Sequence, residues 1–249
     1  MHLTWLQPGD PFPDPARAWD EHQPAPGLLA AGGVLDVDSL QRAYGQGIFP
    51  WFSEGQPTLW WSTDPRMVLY TAEFKLHRSL RKALVRFRDD PRCEIRFDSD
   101  FGAVIRACAG SPREGQSGTW IVPAMVTAYR QFHAAGFAHS VETWIDGQLV
   151  GGLYCVRLGR AVFGESMFTR VPDASKIALA ALVAWCRQAQ VALVDCQQNT
   201  RHLASLGARE IPRGEFVRHV AHEARLPAAR WRFDPVYWNE LLPQHSAPV

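Results

Sequence analysis

The chain lacks any apolar run approaching the ~18 residues of a membrane span, so no membrane association is expected. Its first residues, MHLTWLQPGD, carry neither a basic region nor an apolar core, which predicts no signal peptide. No C-x-x-C and no H-E-x-x-H occurs, and the histidines are scattered. The five cysteines, Cys93, Cys108, Cys155, Cys186 and Cys196, are odd in number and widely spaced. Such spacing speaks against a zinc site and predicts reduced thiols in a cytoplasmic protein. Repeats and low-complexity tracts are missing as well. The formal net charge of +1 argues, taken alone, against a polyanionic partner.

What is present is more directive. With 249 residues, 47% of them hydrophobic, the chain can bury a sizeable core without a disulfide or metal staple. One large domain, or one domain with a small lobe, fits this length. The charge is unevenly spread. Residues 1–65 hold eight acids against Arg17 and Arg42, whereas residues 75–96 hold eight bases against Asp89, Asp90 and Glu94. The basic stretch reads either as a phosphate-facing patch or as a solvated helix face. Ten tryptophans are the other excess, and Trp51, Trp60 and Trp61 lie close together beside Phe49 and Phe52. Indoles of this kind fill cores, or stack on nucleic-acid bases.

Six prolines between Pro8 and Pro26 predict an extended, wrapping segment without regular structure. A short helix follows, capped by Asp36 or Asp38 and stopped at Gly45 to Gly47. A lobe boundary is expected near Asp64-Pro65-Arg66. Beyond it come a strand at 67–71, a basic helix at 77–88, a strand at 93–97 and a helix at 99–109. Pro123 reads as the first residue of a helix ending before Gly136. A meander follows, with strands at 138–145, 148–157 and 161–168 and a hairpin turn at Asp146-Gly147. Last come a helix at 175–189, a strand at 191–197, a helix at 199–206, a strand at 208–211 and a helix at 213–224. The order describes an α+β domain with a mixed sheet.

Two places carry chemistry. In the hairpin LVGGLYCVRLGRAVFGESMF, residues 149–168, one acid, Glu165, sits among Phe163, Met167 and Phe168. A carboxylate in apolar company resists ionising unless a cation meets it. No lysine is near in sequence, so a distant part of the chain or a ligand supplies the partner. An ammonium beside an apolar side chain, as in an amino acid, would fit. The second place is the end of the strand Leu193-Val194-Asp195-Cys196-Gln197. Strand alternation puts Asp195 and Gln197 on one face and Cys196 on the other. The bland alternative is an aspartate capping the next helix.

Other matches are weaker. Cys196 as a nucleophile, with His202 or His139 as base, is disfavoured because it faces away from the polar pair. Arg42-Ala43-Tyr44-Gly45-Gln46-Gly47 fits the R-x-x-G-x-G pyrophosphate loop of acetyl-CoA-dependent N-acetyltransferases. That loop must open a helix, and here the glycines close one. Gly164-Glu165-Ser166 lacks the second glycine of a nucleophile elbow, since position 168 is Phe.

Over nearly its full length the chain resembles the leucyl/phenylalanyl-tRNA–protein transferases. The matching segments include Gly27-Leu28-Leu29-Ala30, Gly47-Ile48-Phe49-Pro50-Trp51-Phe52, Leu59-Trp60-Trp61-Ser62 and Asp64-Pro65-Arg66. Further on are Thr119-Trp120-Ile121, Ala138 to Glu142, Leu149 to Tyr154, Gly164 to Phe168, Ala174-Ser175-Lys176, Asp195-Cys196-Gln197 and Ser205 to Ala208. The resemblance implies a small N-terminal lobe, residues 1–65, and a larger acetyltransferase-like (GNAT-like) mixed-sheet catalytic domain, residues 66–249, that uses no acetyl-CoA. It implies transfer of Leu or Phe, less often Met, from aminoacyl-tRNA to the N-terminal Arg or Lys of a protein, marking it for degradation. No cofactor is needed, because the tRNA ester supplies the free energy, and a monomer is expected.

The resemblance places Glu165 at the amino group of the transferred residue, Trp51 and Trp120 around the terminal adenosine, and Asp195 and Gln197 at the reacting centre. It places the apolar pocket on Leu153, Val162, Met167 and Leu182. Relatives are expected to carry bulky aromatics at 162 and 182, so this wall is expected to differ. Strand alternation sends Phe163 to the other face. Lys75, Arg78, Arg81, Lys82, Arg86 and Arg88 would hold the tRNA acceptor stem through phosphates. The Gln197 carbonyl is expected to hold the attacking amine, with Asp195 orienting that amide. The proton would leave through Asp195, a water or the adenosine's own hydroxyl. A non-catalytic RNA-binding module would explain the basic stretch and the indoles, but not Glu165 or the Asp195/Gln197 pair.

Overall fold

A computed structural model describes residues 3–111 and 121–242. Trp120, and with it most of the Thr119-Trp120-Ile121 segment, lies outside the described residues. The N-terminal part contains β1 (Thr4–Leu6), β2 (Leu28–Gly32), α1 (Val37–Tyr44), β3 (Phe49–Pro50) and β4 (Leu59–Trp61). Asp36 caps α1 by accepting from the Ser39 N–H at 2.8 Å, and Gly45 follows its last turn. The four strands form a sheet in the order β1-β2-β4-β3, with β1 parallel to β2 and the other pairs antiparallel. None of these strands is expected from the sequence. Each is two to five residues long and has no alternating pattern of its own; pairing at long range defines them. Within the proline-rich stretch only a 3-10 turn at Pro15–Arg17 is regular.

The second sheet is built from β5 (Arg66–Tyr70), β6 (Cys93–Phe97), β7 (Ala138–Ile145), β8 (Gln148–Leu158), β9 (Ala161–Thr169), β10 (Leu193–Gln197) and β11 (Arg209–Ile211). Between them run α2 (Arg78–Asp89), α3 (Phe101–Ala109), α4 (Pro123–Ala134), α5 (Ala174–Gln188), α6 (Arg201–Ser205) and α7 (Arg213–Glu223). The strand order is β11-β5-β10-β9-β8-β7-β6, antiparallel except for the β10/β9 pair. The molecule is thus α+β with two mixed sheets, in line with the expected class. The β7–β8 turn has Asp146 at φ 51° and Gly147 at φ 70°, the left-handed pair that a two-residue hairpin needs.

Two cores lie on opposite faces of the large sheet. One gathers Val104, Met125, Tyr129, Phe132, Phe163 and Phe216 with Tyr44, Leu28 and Trp60, so the N-terminal sheet packs into the same apolar cluster as the larger one. The other sits under α5 and α2 and is closed by the C-terminal Trp238, Leu241 and Leu242. α5 is buried almost all round, with Ala178, Ala180, Ala181 and Ala184 letting it approach the sheet. Full burial of Leu179 and Leu182 contributes about 2 kcal/mol each.

The closest approach is at Gly151 of β8. A Cβ there would meet the Ala174 Cβ at 2.5 Å and the Ala174 carbonyl carbon at 2.8 Å. Gly151→Ala should push the start of α5 off the sheet. The expected cost is about 2 kcal/mol, a fall of about 5 °C in Tm by calorimetry. An unchanged Tm would mean that α5 shifts freely over β8.

Candidate active site

β9 and β10 run parallel only at Val194↔Val162 and Asp195↔Phe163, after which they part and β9 continues paired with β8. Each strand carries an irregularity at that point. On the β8 side, Tyr154 pairs with Ser166 and Cys155 with Gly164, which leaves Glu165 as an extra, unpaired residue. On the β5 side, Asp195 pairs with Val68 and Gln197 with Met67, leaving Cys196 over. Gln197 itself has φ 55°, a left-handed backbone. Bulges re-aim side chains, and here they turn Glu165 and Gln197 toward each other. Gln197 Nε2 donates to Glu165 Oε1 at 3.1 Å.

A cavity of about 310 Å³ opens beside this pair. Its apolar walls are Leu153, Met167, Leu179, Leu182, Val194 and Leu203, and Thr200 and His202 stand at its edge. Leu153, Met167 and Leu182 therefore fall where the resemblance puts a pocket. Val162 does not. It is buried beside Val194, its partner on the neighbouring strand, and is not among the lining residues. Leu179 and Leu203 take part in its place.

Glu165 is held by two phenols that sequence reading missed. Tyr44 donates to Oε1 at 2.7 Å and Tyr129 to Oε2 at 3.3 Å, while the two hydroxyls touch each other. Both tyrosines are fully buried. Three groups and two phenolic protons leave one bond of the ring without a hydrogen. A proton on Glu165 would close it, the carboxyl then donating to one tyrosine, which turns its own hydrogen to the other, while the carboxyl also accepts from Gln197 Nε2. Burial, opposed by the tyrosine hydrogen bonds and reinforced by the charge of Asp195, lifts the Glu165 pKa from 4.5 to about 8. Burial, and then the charge of Glu165, push both tyrosines well above their ordinary value.

Asp195 lies elsewhere than expected. It is fully buried, and both its oxygens are taken by Arg66, Nε to Oδ1 at 2.8 Å and Nη2 to Oδ2 at 2.6 Å. Its Oδ1 also accepts from the Gln197 backbone N–H at 3.0 Å. Asp195 therefore holds the backbone of Gln197, and it is Glu165 that orients the amide. The expectation of one shared face fails because the bulge breaks strand alternation. Arg66 is fully buried between the rings of Phe49 and Phe216, 4.7 and 4.4 Å from their centroids. Removing one partner of such a pair strands the other charge, at a cost of about 3–5 kcal/mol. Nothing in the local pattern around Arg66 announces this role; its partner is 129 residues away.

Cys196 is ill-suited to nucleophilic work, because burial raises its thiol pKa far above the ordinary value. His139 is engaged with Asp98, Nδ1 to Oδ2 at 2.7 Å. The histidine that reaches the cavity edge, His202, has its pKa lowered by burial and then by Lys176.

Trp51 is half-buried, and its ring leans on Trp61 with centroids 5.3 Å apart. It is not among the cavity walls, but the chain from Trp61 leads through Ser62 to Thr63, whose hydroxyl donates to the Gln197 carbonyl at 3.1 Å. Lys75, Arg78, Arg81, Lys82, Arg86 and Arg88 are all exposed on α2 and the turn before it. Only Arg88 of the six has an ion pair among the described residues, with Asp89. The start of α2 abuts α6: Lys75 N–H donates to the Leu206 carbonyl and His77 bonds the Ser205 carbonyl. The basic face and the cavity are therefore joined through one short helix.

A pH test follows for Glu165. Between about 4.5 and about 8 the folded protein keeps a proton that the unfolded chain has released, so stability falls as pH rises through that window and levels off above it. Glu165→Gln removes this loss. In the ligand-free protein, its Tm advantage over wild type should grow steadily from pH 5 to pH 8. A gap independent of pH would show that Glu165 ionises in its ordinary range.

The comparisons with known proteins identify relatives over nearly the whole chain. A profile described as leucyl/phenylalanyl-tRNA protein transferase matches residues 68–221, and one for the N-terminal domain of the same transferase matches residues 33–64. A leucyl/phenylalanyl-tRNA–protein transferase of Polaromonas sp. (strain JS666) is 66% identical over 96% of this chain and 94% of its own length. One from Albidiferax ferrireducens is 61% identical over 98% and 96%. Among solved structures, a conserved protein of unknown function from Staphylococcus epidermidis covers 74% of this chain and 68% of its own at 10% identity, with a TM-score of 0.36, too low to bear on the fold. The two profiles and the high identity over nearly the whole length show that this chain belongs to the leucyl/phenylalanyl-tRNA–protein transferase family and is a transferase.

Proposed function

We propose that this enzyme moves Leu or Phe, less often Met, from aminoacyl-tRNA to the N-terminal Arg or Lys of acceptor proteins, marking them for degradation in the cytoplasm. One observation carries the reading. A carboxyl and an amide, each turned by a bulge at the parting of two parallel strands, face an apolar cavity sized for a single amino-acid side chain. The mixed sheet that opens at a β9/β10 parallel pair supports an acetyltransferase-like (GNAT-like) catalytic domain over residues 66–249, with residues 1–65 as its small lobe.

In this reading Glu165 meets the ammonium of the aminoacyl residue, whose side chain enters between Leu153, Met167 and Leu182. Trp51 and Trp120 flank the terminal adenosine, and the α2 bases hold the acceptor stem through its phosphates. Gln197 Nε2 is tied to Glu165, so its carbonyl oxygen is left to accept from the attacking amine. That amine has a pKa of about 8 and is partly neutral at cellular pH. Near-attack geometry then supplies much of the acceleration. The amine nitrogen bonds the ester carbonyl carbon, the bond from that carbon to the ribose oxygen breaks, and the departing ribose oxygen takes up the proton lost by the amine and leaves as a hydroxyl. Asp195, closed off by Arg66, is no route for it. No external base, ATP or cofactor is required, and the enzyme acts as a monomer.

The deciding experiment is transfer of labelled Leu from charged tRNA to an Arg-terminated peptide, against a peptide with a blocked terminus. Failure of transfer sinks the reading. Within it, Glu165→Gln should weaken a puromycin-like analogue about tenfold, one charged hydrogen bond's worth, with the KM for peptide unchanged. Replacing Arg78, Arg81 and Lys82 by Glu should weaken tRNA binding and flatten its log–log salt slope by about 0.9 for each phosphate no longer neutralised. A slope equal to wild type would identify α2 as a solvated face only.

A further inference from the structure

The Arg66–Asp195 pair is fully buried, and Arg66 Nη1 has no hydrogen-bond partner among the described residues. Burying such a pair is weak grounds for stability, since an apolar substitute of similar volume often does as well. Its geometry gives it another use. Asp195 Oδ1 is shared between Arg66 Nε and the backbone N–H of Gln197, and the Gln197 carbonyl accepts from the Thr63 hydroxyl. The peptide units on both sides of Gln197 are therefore gripped. Between the grips the residue stands at φ 55°, which a non-glycine residue holds only when its surroundings impose it. In a regular strand the residue after next would point the way Asp195 points, onto Arg66 and its aromatic walls. The imposed turn sends the amide to Glu165 and the cavity instead.

We propose that Arg66 and Thr63 are positioning residues for the transfer reaction. Arg66 acts through Asp195 on the Gln197 N–H, and Thr63 acts on the Gln197 carbonyl, so that the left-handed Gln197 presents its amide to the reacting amine. This rests on the proposed role of Gln197.

The test uses four variants of the full chain: the double substitution R66M/D195L, and Arg66→Lys, Thr63→Val and Thr63→Ser. Each is measured for Tm, for kcat and KM in leucyl transfer, and for hydrogen exchange of the Gln197 amide. The double variant should keep a cooperative melt near the wild-type Tm. Its kcat should fall about 100-fold, the scale of an ångström's misplacement, with KM for aminoacyl-tRNA nearly unchanged and the Gln197 amide exchanging faster. Arg66→Lys keeps the charge but not the two-pronged grip, and should recover only part of kcat. Thr63→Val should lower kcat about tenfold, the loss of one hydrogen bond, and Thr63→Ser should restore it. A double variant with wild-type kcat, or a Thr63→Ser variant as slow as Thr63→Val, overturns the proposal. Should the double variant fail to fold, the Thr63 pair decides it. A wild-type chain that does not transfer Leu at all overturns the functional reading instead, and Gln197 exchange then judges the positioning claim alone: protection that survives in R66M/D195L and Thr63→Val overturns it.

Discussion

Burying a charge is costly unless another meets it, and much of this site is arranged around one such meeting. Arg66 opens β5 immediately after the N-terminal sheet ends, and Asp195 lies near the end of β10. Their two-pronged bond pins the neighbouring strands at the level where β9 leaves β10. Phe49 from the N-terminal part and Phe216 from α7 close over the guanidinium. One ion pair thus joins the small sheet, the large sheet and a late helix, and the cavity opens beside it. Glu165, Gln197 and the apolar walls take their places relative to that fixed point.

The two bulges translate this frame into chemistry. A regular β9 would give Glu165 a ladder partner and a fixed face; the extra residue frees it to reach Tyr44 and Tyr129 while bordering the cavity. A regular β10 would bury Gln197 beside Asp195. Departures from ideal pairing cost stability and concentrate where a side chain must be aimed. Their appearance on adjacent strands, one residue level apart, is what brings a carboxyl and an amide within 3.1 Å.

Most helices and the long meander are legible in the sequence, because their signals are local. Asp36 before α1, Pro123 opening α4 and Asp146-Gly147 between β7 and β8 each state a backbone requirement within a few residues. The strands of the N-terminal sheet carry no such statement, since these strands of two to five residues are defined by partners far along the chain. The site divides the same way. Glu165 stands out as an acid in apolar surroundings, but the phenols that meet it are 121 and 36 residues away. Asp195 and Gln197 stand out together, yet alternation assigns them one face, and only a bulge shows otherwise. Val162 is placed in the pocket by resemblance, whereas Val194 on the neighbouring strand lines the cavity. Resemblance supplies the reaction; tertiary contacts supply the roles.

The ring of Tyr44, Tyr129 and Glu165 has a consequence for how the site would meet its substrate. With its pKa raised to about 8, the Glu165 carboxyl would keep its proton near neutral pH, and on the proposed role an ammonium docking there would displace it. Hydrogen ion and substrate would then compete for one anion, each round of binding releasing a proton. Acidification would then act twice, raising the concentration of charged tRNA needed and protonating the attacking amine. A residue whose amino group is acylated would bring no charge with which to displace the proton, so Glu165 held between two phenols would favour aminoacyl residues with a free amine.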